Sequence, residues 1–362
     1  MSNAPDRNPE RLLEIDALRG IASLCVVVFH LKIMTAHPGG ALGLGTAIGR
    51  WGNDYLWTAV DLFFLISGFI FAHVYLRDGR LNPKTTLWGY GVARFARIYP
   101  LHLLMLLIVA AIVWSNAPLA PSFGHDVVRY DAYHFVVNLL MLQASGINYG
   151  FSFNSPAWSL TTECLCYALF YFLARAGGCW VLAGAVLAIV AGLLADAYPA
   201  LVPIPVRIAR GLVGFFVGVL VYRYQAPLRH IPFAVVATLA IASLVAAPLF
   251  ASSGTNAGIM MSLFAWPWVV MTCLHPASAY LLRTAPLRLL GDLSYSIYLI
   301  HIPLALVFLT LNGGDYFTIE QFLWMVPLYL MTLLAISWIS FSRFEEPVRR
   351  HIRNVAAPRS TS

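Results

Sequence analysis

Four side chains able to take or give a proton sit inside stretches otherwise built of Leu, Val, Ile, Ala and Phe: His30, Asp61, Glu163 and His301. A histidine with a carboxylate neighbour is the usual equipment for removing a proton from a hydroxyl. The imidazole is the base, and the carboxylate fixes its tautomer and stabilises the cation. His30 with Glu163 or with Asp61 would make such a pair. Arg94 and Arg97 stand three residues apart in Tyr90-Gly-Val-Ala-Arg-Phe-Ala-Arg-Ile-Tyr-Pro100. On a helix they leave from one side and could grip a phosphate between them, although the same spacing suits plain anchoring at a lipid surface. Arg19 is open to three uses: structural, with Asp16 three residues away as partner, acceptor-facing, or donor-facing beside Arg94 and Arg97. Tyr295, Tyr298 and His301 fall near one helical face, and Ser159, next to Trp158, precedes Glu163 by one turn. These suit the lining of an acceptor pocket; a tyrosine at a helix contact and a serine capping a first turn are ordinary structural uses of the same residues.

The elements that must position these groups follow from composition. Of 362 residues, 60% are hydrophobic and 11% charged, against about 25% charged in soluble domains. A water-facing surface cannot be built from this chain, and about 20 apolar residues cross a bilayer as a helix. Apolar runs predict ten helices, near 15–36, 55–77, 98–115, 158–176, 178–195, 206–225, 231–252, 256–281, 286–311 and 320–343. The apolar piece Tyr133 to Ala144 is too short to span and is expected to be re-entrant or interfacial. With the N-terminus inside, 18 of the 23 Lys and Arg fall on the cytoplasmic side, as positively charged inner loops require. Lys32, Arg50, Arg129, Arg207 and Arg210 fall outside or at the outer boundary. The formal charge of +7 is thereby explained by topology, without nucleic acid. The expectation is an all-α polytopic membrane protein with both termini cytoplasmic: a tail over 1–14, one membrane domain over 15–343, and a tail over 344–362. At ~1.5 Å per residue, His30 and Asp61 lie roughly 9 Å, and Glu163 roughly 7 Å, below the outer ends of their helices. His301 falls in the same outer half, so four helices carry a titratable group into one layer. His73 and His102 read as interfacial. The five cysteines show no CxxC pair and no metal-ligand spacing, so no metal is expected.

In this order and on this topology, six short strings resemble the acyltransferase-3 family of integral membrane acyltransferases, over about Arg11 to Arg349. They are Glu14-Ile-Asp-Ala-Leu-Arg-Gly-Ile-Ala with His30; Ala59-Val-Asp-Leu-Phe-Phe-Leu-Ile-Ser-Gly-Phe69; Arg94-Phe-Ala-Arg97-Ile-Tyr-Pro; Asn154 through Trp158-Ser-Leu-Thr-Thr-Glu163; Leu290 through His301; and Glu345-Glu-Pro347. The resemblance implies transfer of an acyl group, most often acetyl, from cytoplasmic acyl-CoA to a hydroxyl of a carbohydrate, glycolipid or similar acceptor. Acyl-CoA would be a co-substrate, with no bound cofactor, in a bacterial inner membrane. It also implies that His30 is the family's essential first-helix histidine and that Arg94 with Arg97 is the motif that engages the donor; Arg19 and Glu163 fall on motif positions too. A secondary transporter or lipid-linked sugar flippase would bury similar residues, but neither inverted halves nor paired broken helices are visible. A noncatalytic scaffold would leave the polar layer unexplained.

Overall fold

Hydrocarbon offers no partner to backbone N–H and C=O groups, so a chain this apolar must satisfy them within its own segments, as helices do. The computed structural model describes residues 11–35, 46–115, 122–123, 126–147, 150–228, 230–250 and 254–356. Its helices are α1 (Leu13–His30), α2 (Ala47–Tyr55), α3 (Ala59–Tyr75), α4 (Leu87–Trp114), α5 (Ala132–Leu139), α6 (Trp158–Ala176), α7 (Cys179–Ala197) and α8 (Val206–Leu228). They continue as α9 (Phe233–Ala246), α10 (Gly254–Met260), α11 (Trp266–Leu274), α12 (Pro276–Leu282), α13 (Ala285–Leu311), α14 (Ile319–Ile339) and α15 (Glu346–Ala356). Sheet among the described residues is confined to short pairings at 76–81 and at 122–129 with 151–152.

Nine helical stretches among the described residues are long and apolar enough to cross a membrane, which makes this a multi-pass membrane protein. The tenth expected span corresponds to α8, 23 residues long, which carries Arg207, Arg210 and Arg223 and packs between α3 and α7. Three boundaries differ from expectation. Helix α4 begins at Leu87 rather than near 98, because Thr86 caps it by accepting the Gly89 N–H; Arg94 and Arg97 therefore lie within the helix. The run expected over 256–281 ends at Leu274, where His275 turns extended and opens α12. Residues 346–356, expected as tail, continue from α14 through a π turn at Ser340–Glu345 into α15, which lies on α4. The Tyr133–Ala144 piece holds α5, eight residues capped by Asp131, or about 12 Å of helix against the ~30 Å of a bilayer core.

Two glycine-faced helix pairs set the frame of the site. Between α1 and α13, a Cβ on Gly20 would lie 2.7 Å from the Leu290 carbonyl carbon, and one on Gly291 2.6 Å from that of Asp16. Between α3 and α8, a Cβ on Gly68 would lie 2.7 Å from the Phe215 carbonyl carbon, and one on Gly218 2.8 Å from that of Leu65. Glycine is required at each because the backbones themselves touch, the packing that small residues permit where no hydrophobic effect drives helices together.

Candidate active site

The close α1/α13 contact brings together two histidines 271 residues apart. His30 ends α1 and His301 lies buried within α13; their rings are 5.0 Å apart at the centroids, and His301 Nε2 is 3.3 Å from His30 Nδ1. The hydrogen-bond pattern assigns the tautomers. His301 Nδ1 is 2.7 Å from the Tyr298 carbonyl, which only accepts, so His301 carries its proton there and its Nε2 is an acceptor. His30 Nδ1 faces that acceptor and also the Val26 carbonyl at 2.9 Å. It must carry hydrogen, which makes Nε2 the lone-pair nitrogen of His30.

His301 is held from three directions. Pro303, two residues on, has no N–H to give to Leu299 O, and Asn154 Nδ2 donates to that carbonyl instead at 2.9 Å. Tyr329 of α14 donates its hydroxyl to His301 O at 2.7 Å. Tyr298, one turn before His301, donates to Pro156 O at 2.8 Å and shares a hydrogen bond with Ser159 Oγ at 2.9 Å.

Beyond Tyr298 lies a cavity of about 60 Å³, walled by Phe63 and Phe64 and lined by Arg19, Ser67, Ser159, Glu163, Tyr295 and Tyr298. At roughly 10–15 Å³ per water it has room for about four to six. Five of the expected site residues thus converge on one space. Glu163 accepts hydrogen bonds from Ser67 and Tyr167. Arg19 is 3.6 Å from Asp16, but Asp16 is bound at 2.5 Å by Arg11, so Arg19 is left to reach the cavity. At the same end, Arg97 lies 5.1 Å over the Tyr295 ring and 4.0 Å from Glu345, while Arg94 lies 5.0 Å over Phe71 and 5.8 Å over Tyr167. Arg19 and Arg97 are near enough to repel each other. Arginines and histidines therefore bracket the cavity, and the eleven residues from Arg19 to His30 set them about 16 Å apart along α1.

Four expectations need correction. Asp61 does not pair with His30: it binds Arg210 of α8 bidentately, at 3.0 Å to Nε and 2.7 Å to Nη2, with the carboxylate fully buried. The arginine stands in the way because α3 and α8 pack at backbone contact, and a buried carboxylate is stabilised best by a buried cation. Glu163 likewise has Ser67 and Tyr167 as its partners rather than His30. Trp158 does not line the cavity; its ring lies 5.0 Å from the Arg210 guanidinium, which Trp57 covers at 4.4 Å. His102 is buried rather than interfacial, its Nε2 2.8 Å from Asn138 O, where it ties α4 to α5. Arg210, a boundary charge by the loop pattern, is instead the buried partner of Asp61, and an arginine in the apolar run 206–225 has the same claim to attention as that carboxylate.

The chain is similar to several known proteins. It is 35% identical over 47% of its length to a protein of Rhizobium radiobacter named protein 2 in the picA locus, spanning 84% of that protein. To the acyltransferase MdmB of Streptomyces mycarofaciens it is 36% identical over 46% of its length, spanning 40% of that chain. To the peptidoglycan O-acetyltransferase OatA of Listeria monocytogenes it is 24% identical over 93% of its length, spanning 56% of OatA. No solved structure matches. The sequence profile described as an acyltransferase domain matches residues 12–341, nearly all of the helical bundle that carries the cavity, and the chain belongs to the acyltransferase-3 family of membrane acyltransferases.

Proposed function

We propose that this acyltransferase moves an acyl group, acetyl in the simplest case, from a coenzyme A thioester entering at the arginine end to an acceptor hydroxyl approaching His30. The reading rests on one observation: the cavity between Arg19, Glu163 and Tyr295 on one side and Tyr298 on the other, one side chain short of the histidine pair. Arg94 and Arg97, with Arg19, would hold the donor phosphates, since guanidinium forks match phosphate oxygens and the nearby aromatic rings keep them in place. The thioester arm then extends along α1 through the cavity. His30 Nε2 takes the proton of the acceptor hydroxyl as its oxygen attacks the thioester carbon. An acyl-histidine intermediate is the mechanistic variant of this scheme. Ser159, Tyr295 and Tyr298 line the path.

The excess of Lys and Arg at the arginine end supports a cytoplasmic position for it, where acyl-CoA is made, with the histidine end toward the outside of a bacterial inner membrane. OatA is named for O-acetylation of peptidoglycan, which favours a carbohydrate or glycolipid hydroxyl as the acceptor class. Membership of an acyltransferase family sets the transporter and scaffold readings aside.

Release of free CoA by membrane vesicles given acetyl-CoA and an envelope glycan acceptor tests the proposal. His30→Ala, inserted at normal level, is expected to lose about 10²-fold or more in transfer; a fully active variant would overturn the role. Arg94→Ala with Arg97→Ala is expected to raise the donor KM, and unchanged CoA binding would reject the donor assignment.

A further inference from the structure

His301 has no task in this scheme and does not line the cavity, yet it is fully buried, fixed by Tyr298, Tyr329 and the Asn154 contact, and aimed at His30. We propose that His301 is the second half of the base: a positioning residue that receives the Nδ1 proton of His30 while His30 Nε2 takes the proton of the acceptor. The inference rests on reading His30 as the base of O-acyl transfer.

A carboxylate beside a catalytic histidine stabilises the imidazolium by its charge and need not itself be protonated. Neither of the two carboxylates expected beside His30 does this, since Asp61 is bound to Arg210 and Glu163 to Ser67 and Tyr167. A neutral imidazole can help only by accepting a proton, and His301 Nε2 is the acceptor nitrogen, 3.3 Å from the hydrogen-bearing His30 Nδ1. The step balances. The acceptor O–H bond breaks and its proton bonds to His30 Nε2; the His30 Nδ1–H bond breaks and its proton bonds to His301 Nε2. His30 is then neutral in the opposite tautomer. His301 is the imidazolium, its Nδ1–H still on Tyr298 O. The acceptor oxygen bonds to the thioester carbon, and on collapse the carbon–sulfur bond breaks. The thiolate takes the proton from His30 Nε2, His30 Nδ1 recovers its own from His301, and ester and thiol leave with both rings restored. Two protons therefore move in the chemical step where a carboxylate-assisted base would move one.

The test is a proton inventory: single-turnover transfer measured in mixtures of H2O and D2O. The native enzyme is expected to give a curved dependence of rate on deuterium fraction, the signature of two protons in flight. A linear dependence overturns the relay, whether or not any variant folds. His301→Gln keeps a side-chain carbonyl that can accept from His30 Nδ1–H but cannot be protonated. It is expected to bind donor with KM within about twofold of native, to lose about 100-fold or more in kcat, and to give a linear inventory. A His301→Gln enzyme with native kcat would reduce His301 to a tautomer clamp and sink the proposal. Activity surviving in His30→Ala removes the base reading itself, whereas an inactive His30→Ala with a linear native inventory removes the relay alone.

Discussion

Asp61→Asn is the substitution on which a catalytic and a structural reading of this carboxylate part most sharply. The Asp61 and Arg210 side chains are 0% and 8% exposed and meet in two hydrogen bonds, with Trp57 and Trp158 over the guanidinium. Removing one partner of a buried ion pair strands the other charge in low dielectric, at a cost of about 3–5 kcal/mol. At about 1.4 kcal/mol per tenfold, that lowers the folding equilibrium constant by roughly 10²-fold or more. Replacing both partners by neutral groups of similar volume removes the stranded charge, and such replacements are often neutral. Asp61→Asn and Arg210→Met are therefore each expected to be strongly destabilising, and the double variant to recover to within about 1 kcal/mol of native, a large coupling in a double-mutant cycle. Thermal unfolding of detergent-solubilised protein followed by tryptophan fluorescence is the assay, with Trp57 and Trp158 over Arg210 among its reporters. Asp61→Asn alone melting like the native protein, or a double variant as unstable as either single one, would refute the argument. Transfer activity restored in the stable double variant would further show that Asp61 does no chemistry; a stable but inactive one would return it to the catalytic group.

Gly258→Ala would place a methyl group 2.6 Å from Asp61 Oδ2 and 2.8 Å from Arg210 Nε. It is expected to cost about 1–3 kcal/mol by overpacking, and less in the Asp61→Asn/Arg210→Met background if the clash acts through the pair. Gly68→Ala should prevent the α3/α8 contact and lower the yield of folded protein sharply. Gly91→Ala, in α4 with nothing within 4 Å of the new methyl, should be neutral or stabilising by up to about 1 kcal/mol; equal yields of the two variants would contradict the packing scheme. Glu345→Gln removes the charge 4.0 Å from Arg97 and is expected to change the KM for acyl-CoA more than kcat, read in the vesicle assay. Tyr298→Phe leaves Ser159 Oγ without its 2.9 Å partner and is expected to cost about 1–3 kcal/mol of stability while His301 keeps its bond to the Tyr298 backbone.

What could be read before the structure divides along a physical line. Depth is legible in part, because a helix advances ~1.5 Å per residue and the bilayer fixes where it starts: His30 and His301, expected in one layer, lie side by side, whereas Glu163, expected in that layer too, lines a cavity with Arg19, about 16 Å along α1 from His30. Rotation about the axis is much less so. An amphipathic soluble helix shows its buried face by its polarity, but a span whose lipid side and protein side are both apolar has only its small residues to mark the contact. Gly20 and Gly291 mark the α1/α13 seam and Gly68, Gly214 and Gly218 the α3/α8 seam, and each seam brings its own charged or titratable pair together. Had the glycines been used as azimuthal markers, Asp61 would have been turned toward α8, where Arg210 is the cation facing it, and His30 toward α13, where His301 lies. Matching ionisable groups by depth alone joined His30 to a carboxylate because that is the commoner chemistry. The backbone contacts join it to a histidine, and the nature of that neighbour decides whether the proton leaving the acceptor stops at one ring or moves the next.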